Sequence, residues 1–338
     1  MRAAVLSRTG GPCVLDLVEV DPPRPGPGEV LVRVAACGIC GHDQADCAGL
    51  LELGLPAVLG HEISGVVVES GGTRFGPGDR VAAKQFATCG HCVPCTSGDE
   101  LRCPERAFTY GGYAEYAVLR ETSLLTVPPG VDLVAASVVA CAVGTGLQAL
   151  RARAGLRPGE TVLVTGAGGG LGLHGVQVAA ALGARVVALT GDTGKAARLR
   201  DLGADEVVAT GDTAWQAILN ATGGRGADVV LDNVGRPEVF RQAFRALADR
   251  GRYVLTGQTG AEPLRVHPAF VFAKDAVLTG SGSTLMSTFT DALAMVADGR
   301  VTPLVTRYPL DDVDRAFHDL DARRITGRAV LVPATGGS

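Results

Sequence analysis

The segment "VLVTGAGGGLGLHGVQVAAALGARVVALTGD", residues 162–192, most constrains the fold that this chain can adopt. It has the pattern of a buried strand, a glycine-rich turn, an amphipathic helix and a second strand. Glycine permits the tight turn and lets backbone N–H groups approach a pyrophosphate at the helix N-terminus. The spacing Ala167-x-Gly169-x-x-Gly172, with alanine in place of the usual first glycine, predicts a dinucleotide site. Its candidate binding residues are Gly166, Ala167, Gly169, Gly170, Leu171 and Gly172.

The remainder of this half alternates apolar strands with amphipathic helices, which is typical of a parallel sheet covered by helices. We expect strands at 161–165, 185–189, 205–208, 228–232, 251–255 and 276–280. We expect helices at about 170–183, 193–203, 213–222, 236–248 and 287–299.

The first 140 or so residues have a different sequence pattern, in which glycine and proline separate short β segments. Strands at this spacing indicate a β-barrel-like domain. A chain of 338 residues is longer than one hydrophobic core usually supports, so two domains are expected. The last 50 or so residues carry no further crossover unit and are predicted to return to the first domain.

Composition excludes several classes of partner. A formal net charge of −4 gives no electrostatic reason to bind nucleic acid or an anionic membrane. No apolar run reaches the roughly 18 residues that a spanning helix needs. Nine cysteines, an odd number in a long chain without a secretory signal, argue against a disulfide framework and for metal-binding thiolates. We expect a cytoplasmic protein that acts on a small molecule.

The run "CGHCVPCTSGDELRC" predicts a structural metal site. Two-residue gaps let successive sulfurs turn around one ion, and a longer gap closes the loop. Four thiolates leave no coordination position open for water or substrate, so this site is structural zinc and His91 is a bystander. The proposed ligands are Cys89, Cys92, Cys95 and Cys103.

A second constellation surrounds "CGICGHD" at residues 37–43. A catalytic zinc needs three protein ligands and one open position. Cys40, the His61 of "GHE" and Cys141 supply such a set. Spacing alone does not decide which cysteine is the ligand, since Cys37 could bind the metal as well as Cys40.

Five motifs occur in the order seen in zinc-dependent medium-chain alcohol dehydrogenases, and the resemblance covers essentially the whole chain. They are "CGICGHD", "GHE", the four-cysteine run, "GGYAEY" and the glycine-rich turn. The resemblance implies a two-domain α/β protein. A GroES-like β-barrel catalytic domain would comprise 1–142 and 283–338, with the structural zinc lobe at about 86–105. A Rossmann domain with a doubly wound parallel sheet would comprise 143–282.

The same resemblance implies roles for single residues. The catalytic zinc ligands map to Cys40, His61 and Cys141, and Cys37 becomes a strand residue that faces the core. Two zinc ions per chain are therefore expected.

The resemblance also implies roles for residues that match family positions outside the zinc ligands. Asp43 matches an aspartate that accepts a hydrogen bond from the ligand histidine, and Glu62 matches a carboxylate beside the metal. Thr145 matches a residue that packs near the nicotinamide. Cys13 and Cys47 have no counterpart, and we expect both to be buried as small hydrophobic residues.

His42 departs from the family pattern, which usually has serine or threonine at this position to relay the substrate proton. An imidazole titrates near pH ~6.5 and can take that proton itself, so we expect His42 to act as the relay. The alternative is a solvated loop histidine. Some zinc-family reductases of enoyl-CoA thioesters also lack the hydroxyl, and this chain looks similar to them around "VLVTGAGGGLGLHGVQVA".

The end of the second strand bears on cofactor choice. NAD-preferring proteins usually have an acid there that binds the ribose 2′-hydroxyl, whereas this chain has Thr190. Lys195 and Arg198 follow and can pair with a 2′-phosphate. Asp192 argues instead for NAD(H), because a shifted loop could bring its carboxylate to the ribose. We expect a preference for NADP(H).

The predicted function is zinc-dependent hydride transfer between the nicotinamide and an alcohol, aldehyde or ketone, in the cleft between the domains. Zinc would act as the Lewis acid. One alternative is reduction of a conjugated C=C bond, as in an enoyl thioester. Another is a metal- and nucleotide-binding protein without turnover. The apolar edge "DAVLTGSG" at 275–282 predicts a homodimer or homotetramer.

Overall fold

The computed structural model describes residues 1–260 and 262–334, so the end of the predicted range 283–338 lies outside the described residues. The strands are β1 Arg2–Leu6, β2 Asp16–Glu19, β3 Glu29–Ile39, β4 Ala57–Val58, β5 Glu62–Ser70, β6 Arg80–Ala83, β7 Phe86–Ala87, β8 Ala107–Phe108, β9 Tyr116–Arg120, β10 Leu124–Thr126, β11 Thr161–Thr165, β12 Arg185–Thr190, β13 Glu206–Ala209, β14 Ala227–Asp232, β15 Leu247–Leu255, β16 Val277–Gly280, β17 Val305–Pro309 and β18 Arg328–Val332.

The α-helices are α1 Gly41–Cys47, α2 Val93–Thr96, α3 Leu133–Ser137, α4 Gly144–Leu147, α5 Gly170–Ala181, α6 Ala196–Asp201, α7 Ala214–Ala221, α8 Pro237–Arg245, α9 Pro268–Phe272, α10 Met286–Ala297 and α11 Val313–Asp321. Two π-helical segments, Val139–Val143 and Gln148–Arg153, flank α4. No helix within the described ranges is both long enough and apolar enough to cross a bilayer.

The chain divides into two compact units. The first comprises Met1–Cys141, Thr284–Asp298 and the chain from Pro303 onward; the second comprises Ala142–Ser283 and Gly299–Thr302. Everything after residue 282 is expected in the first domain, whereas the short segment Gly299–Thr302 belongs to the second unit.

Two hydrogen bonds explain where this segment lies. The side-chain amide of Gln177 on α5 donates to the Thr302 carbonyl at 3.1 Å, and its oxygen accepts the Thr302 N–H at 2.8 Å. Because Gln177 is itself buried, these bonds satisfy polar groups that would otherwise be costly to bury.

The main sheet of the first unit has the strand order β10-β6-β5-β3-β18-β17, with β9 also paired to β3. The strand β3, with sequence "EVLVRVAACGI", is buried along most of its length and lies at the centre of the apolar core. Its antiparallel register with β5 sets Gly38 opposite Glu62. The residues that follow β3 therefore lie beside the residues that precede β5.

The second unit contains a six-stranded parallel sheet in the order β13-β12-β11-β14-β15-β16. The chain proceeds outward from β11 in one direction and then resumes at β14 in the other direction. Ligands of such sheets bind outside the carboxyl ends of the strands at this switch point. Both architectures match the predicted fold class, a β-rich unit joined to a doubly wound parallel sheet.

One predicted helix is too long. The expected helix 236–248 ends at Arg245, and Leu247 already belongs to β15. Leu247 pairs with Ala227, and the Ala227 N–H donates to the Ala246 carbonyl at 2.9 Å. Hydrogen bonding to the neighbouring strand, which local sequence does not reveal, overrides the helical pattern here.

The expectation that Cys13 and Cys47 are unpaired is wrong, because the two are joined in a disulfide with their Cα atoms 5.1 Å apart. Cys47 is buried in the core of the first unit, as expected, whereas Cys13 is only partly buried against that core. The Gly10 N–H donates to the Cys47 carbonyl at 2.9 Å and holds the segment before Cys13 against the end of α1. Cysteine spacing along the chain carries no sign of this contact.

Candidate functional site

Four thiols between β7 and β8 form the first candidate metal site. Their sulfur atoms all lie within 4.8 Å of one another, and they belong to Cys89, Cys92, Cys95 and Cys103. Hydrogen bonds from the backbone N–H groups of His91 and Cys92 lower the pKa of Cys89 to about 6. The thiolate is the form that binds metal. The set matches the predicted structural lobe, and the exposed His91 lies beside it with Glu105.

The second cluster begins at Cys40, between β3 and α1. The His42 N–H donates to Cys40 Sγ at 3.2 Å, and the Asp43 carboxylate accepts the Cys40 N–H at 2.8 Å. A hydrogen bond from Cys141 lowers the pKa of Cys40 well below its usual value, and the nearby His61 acts in the same direction, although burial opposes ionisation. Cys40 is therefore set up as a thiolate at a helix N-terminus.

His61 supplies the nitrogen of this cluster and is 2% exposed. Its Nε2 lies 3.4 Å from Cys40 Sγ, and its Nδ1 faces Asp43 Oδ1 at 3.5 Å. A carboxylate beside Nδ1 orients the ring and leaves Nε2 as the nitrogen that can bind a metal. Asp43, fully buried, thus contacts both the backbone of Cys40 and the ring of His61.

Cys141 comes from a distant part of the sequence, in the π-helical turn Val139–Val143. A π turn is wider than an α turn, changes where side chains point, and is frequent at functional sites. The atoms that can bind a metal, all within 4.8 Å of one another, belong to Cys40, His61, Glu62 and Cys141. Cys37 instead packs in the apolar core, as the resemblance implies.

The donor set fits a zinc ion. Two thiolates and one imidazole are a usual catalytic zinc set, with the fourth position left for a further ligand. All these groups are buried, and anionic sulfur beside a carboxylate is costly to bury without a cation. Glu62 Oε2 has no hydrogen-bond partner among residues 1–260 and 262–334. Burial raises the pKa of Glu62 to about 7, although Arg328 opposes the shift.

Sequence reasoning missed Arg328, which belongs to the same cluster. Its Nη2 lies 3.1 Å from Glu62 Oε1 and 3.5 Å from Cys141 Sγ, and the residue is 6% exposed. Breaking a buried pair of this kind by removing one partner typically costs about 3–5 kcal/mol. The only sign in the sequence is a single charged residue at the start of the apolar strand "RAVLV".

His42 lies beside the cluster in an aromatic environment. Its ring stacks on Phe108 with the centroids 4.3 Å apart and meets the His61 ring edge-on at 5.4 Å. Its Nε2 lies 3.4 Å from the Tyr110 hydroxyl and 3.7 Å from an oxygen of Asp46, which is fully buried. His42 thus has specific contacts on one side of its ring, while its side chain is 33% exposed. Its partners were not predicted.

The glycine-rich turn lies in the second unit, between β11 and α5. A Cβ added to Gly172 would lie 2.1 Å from the Gly166 carbonyl oxygen, so only glycine allows the helix to pack this closely on the turn. The helix α5 begins at Gly170 and runs for 12 residues. Its first N–H groups have no partners within the helix and can bind an anion such as a pyrophosphate.

The residues that we expect to select the cofactor lie at the end of β12 and just beyond it. Thr190 is the last residue of β12, and its hydroxyl accepts the Asp192 N–H at 3.1 Å. Lys195 Nζ donates to the Gly168 carbonyl at 3.1 Å, which places an ammonium group at the glycine-rich turn. Arg198 is exposed on α6. Thr145 is buried in α4, four residues after Cys141.

Both halves of the chain match known protein families. The model of the alcohol dehydrogenase GroES-like domain matches residues 26–129, and that of the zinc-binding dehydrogenases matches residues 170–298.

Individual relatives match nearly the whole chain. Acryloyl-coenzyme A reductase of Metallosphaera sedula is 34% identical over 322 residues, which cover 93% of this chain and 95% of that protein. An NAD-dependent alcohol dehydrogenase of Sulfolobus acidocaldarius is 31% identical and covers 98% of this chain and 99% of its own length. The crystal structure of AibC, 36% identical, superposes with a TM-score of 0.90 over 98% of this chain and 96% of that one.

Substitution of Cys40 tests the second cluster. We expect Cys40→Ser to bind one zinc ion per chain fewer than the unaltered protein, because serine offers no thiolate, and to lose activity while the fold persists. Zinc content by atomic absorption and unfolding by circular dichroism give the two readouts.

The matched control is Cys37→Ser, three residues earlier in the chain. It should keep the zinc content of the unaltered protein, since Cys37 lies in the core. Loss of zinc from Cys37→Ser but not from Cys40→Ser would reverse the assignment.

Proposed function

Because the chain belongs to the zinc-containing medium-chain alcohol dehydrogenase family, we propose that this oxidoreductase transfers hydride between NADP(H) and an alcohol, aldehyde or ketone. The observation that carries the proposal is the buried convergence of Cys40, His61 and Cys141, a three-donor set that suits catalytic zinc. A zinc ion held there would supply Lewis-acid stabilisation of negative charge on the substrate oxygen. The four thiolates of the lobe would hold a second, structural zinc ion.

Neighbouring side chains position the three proposed zinc ligands. Asp43 orients the His61 ring and, through the Cys40 N–H, fixes the position of the first thiolate. Loss of such a supporting contact typically costs about 10–100-fold in metal affinity. Glu62 lies within reach of the same set, and its ion pair with Arg328 holds the carboxylate in place and offsets its negative charge.

His42 is the proposed proton carrier. The Tyr110 hydroxyl and the Asp46 carboxylate lie near Nε2, so this side of the ring is engaged within the protein. Stacking on Phe108 sets the plane of the ring. The imidazole can take a proton from an alcohol substrate or return one to a carbonyl substrate, the role that a serine or threonine hydroxyl plays in most of the family.

NADP(H) is the proposed cofactor, although a relative is named as NAD-dependent. Three features support it. Thr190 has no negative charge to repel a 2′-phosphate, Lys195 directs its ammonium group toward the glycine-rich turn, and Arg198 lies exposed nearby. Charge-assisted hydrogen bonds to a phosphate are about twice as strong as neutral ones.

A second candidate function is reduction of a conjugated C=C bond in an enoyl thioester. Two observations favour it. One relative is named acryloyl-coenzyme A reductase, and His42 replaces the hydroxyl residue that the alcohol dehydrogenases usually have. A binding protein without turnover is not supported, because relatives along nearly the whole chain are oxidoreductases.

The proposed assembly is a homodimer or homotetramer formed through the edge of the parallel sheet. The strand β16 is the last of that sheet. Val277 and Leu278 on β16 are 49% and 37% exposed, and Phe270 and Phe272 on α9 are 65% and 71% exposed. An apolar edge of this extent is an aggregation hazard unless another copy covers it.

A small substrate panel tests the reaction. We expect oxidation of NADPH with aldehydes and ketones such as benzaldehyde, and a kcat/KM for NADPH above that for NADH, because of the 2′-phosphate contacts proposed above. Absorbance at the nicotinamide band is the measurement.

Turnover of crotonyl-CoA but not of any carbonyl compound would replace the first proposal with the second. A clear advantage of NADH would reject the cofactor assignment alone.

Substitution of His42 tests the proton carrier. We expect His42→Gln to lower kcat by at least about 100-fold, since a positioned acid–base group contributes that much, while zinc content stays unchanged. The control is His91→Gln, which removes an exposed histidine from the structural lobe and should leave kcat intact. Full activity of His42→Gln with a carbonyl substrate would show that another group carries the proton.

A charge at the sheet edge tests the assembly. Leu278→Arg should shift sedimentation toward the monomer, because it buries an unpaired charge between copies. Leu17→Arg, which changes a leucine that is 46% exposed on β2, is the control and should leave the mass unchanged. An unaltered protein that sediments as a monomer would contradict the proposed assembly.

A further inference from the structure

A buried carboxylate in the second unit has no role in the chemistry described above. Asp232, the last residue of β14, is 0% exposed. Its oxygens accept four hydrogen bonds, all from neutral donors. These are the hydroxyls of Thr165 at 2.6 Å and Tyr253 at 2.7 Å, and the N–H groups of Val234 at 3.0 Å and Gly235 at 3.2 Å.

The position of this carboxylate in the sheet is specific. The strands β11 and β14 are neighbours, and Val164 pairs with Leu231, so Thr165 and Asp232 are the next residues on each strand. This is the switch point, where the connections after the two strands run in opposite directions and ligands of doubly wound sheets bind. The Thr165–Asp232 bond joins the two strand ends at this point.

The same groups shape the glycine-rich turn, which starts at the next residue after Thr165. The Asn233 N–H donates to the Thr165 hydroxyl at 3.1 Å, and its side-chain amide donates to the Thr165 carbonyl at 3.0 Å. A Cβ added to Gly166 would lie 2.7 Å from Val234 Cγ2. The segment 233–235 therefore packs on the turn, and the Asp232 carboxylate holds that segment through two N–H groups.

Tyr253 completes the arrangement from the neighbouring strand β15. It is 0% exposed, and burial together with Asp232 raises its pKa well above the ordinary value, so the hydroxyl remains a donor. Burying an anion is costly, and apolar residues would fill the same space at lower cost. A fully satisfied polar network instead fixes one geometry, because any displacement of a strand end leaves the anion short of a donor.

We propose that Asp232, with Thr165 and Tyr253, is a positioning group for the nicotinamide dinucleotide, acting by holding the 233–235 segment and the glycine-rich turn in their binding geometry. This inference rests on the proposed function, since it takes the dinucleotide as the ligand of the turn.

Two nearly isosteric variants test it. Tyr253→Phe and Thr165→Val each remove one hydroxyl that donates to Asp232 and leave the packing volume almost unchanged. We expect the Kd of NADPH, measured on the full-length protein by nucleotide fluorescence, to rise at least about fivefold in each. The KM for the nucleotide should rise in parallel, while kcat at saturating nucleotide stays within about twofold.

The matched control is Tyr308→Phe in the first unit. The Tyr308 hydroxyl also donates to a carboxylate, that of Asp319 at 2.9 Å, and the residue is 6% exposed. This variant should lose similar thermal stability but keep the Kd of NADPH within about twofold.

Two results would overturn the inference: an unchanged Kd in both test variants, or an equal rise in Tyr308→Phe. Failure of the unaltered protein to bind either NADPH or NADH would instead overturn the proposed function on which the inference rests.

Discussion

The antiparallel register of β3 with β5 is the contact on which the candidate metal centre depends. With Gly38 opposite Glu62, the residue that leaves β3 and the residue that enters β5 are neighbours, so Cys40 Sγ and His61 Nε2 lie 3.4 Å apart. A shift of one residue would turn every side chain of β3 to the other face of the sheet. The pairing of β3 with β5 thus sets the positions of Cys40 and His61. The third candidate ligand, Cys141, comes from the π-helical turn.

Charge within that cluster is the second constraint. A thiolate at a helix N-terminus, a second cysteine and two buried carboxylates lie in one small volume, and such a set is stable only with cations nearby. Arg328 supplies one positive charge from β18, against Glu62 and Cys141. A divalent ion in the same volume would supply the rest. Both the charges and the ligand types of the cluster therefore support the proposed metal site.

In the second unit, backbone geometry rather than side-chain charge suits the binding of a large anionic ligand. Glycines bring α5 close to the turn, and the first N–H groups of that helix remain available. Asp232 joins the ends of two strands and the segment that follows one of them. Rigid strand ends can support a turn that has little side-chain packing of its own.

Features encoded by neighbouring residues could be predicted from the sequence by itself: the glycine-rich turn, the four-cysteine lobe and the alternation of strands and helices. Each depends on spacing within one turn, loop or crossover unit. Spacing left Cys37 and Cys40 equivalent, and the resemblance to a family chose Cys40, which the tertiary structure places beside His61. The tertiary structure alone decided that Arg328 joins Glu62 and that Tyr110 and Asp46 surround His42. It also decided the Cys13–Cys47 disulfide, contrary to expectation. These contacts join residues from different elements, and strand register and packing, which act over long sequence separations, bring them together.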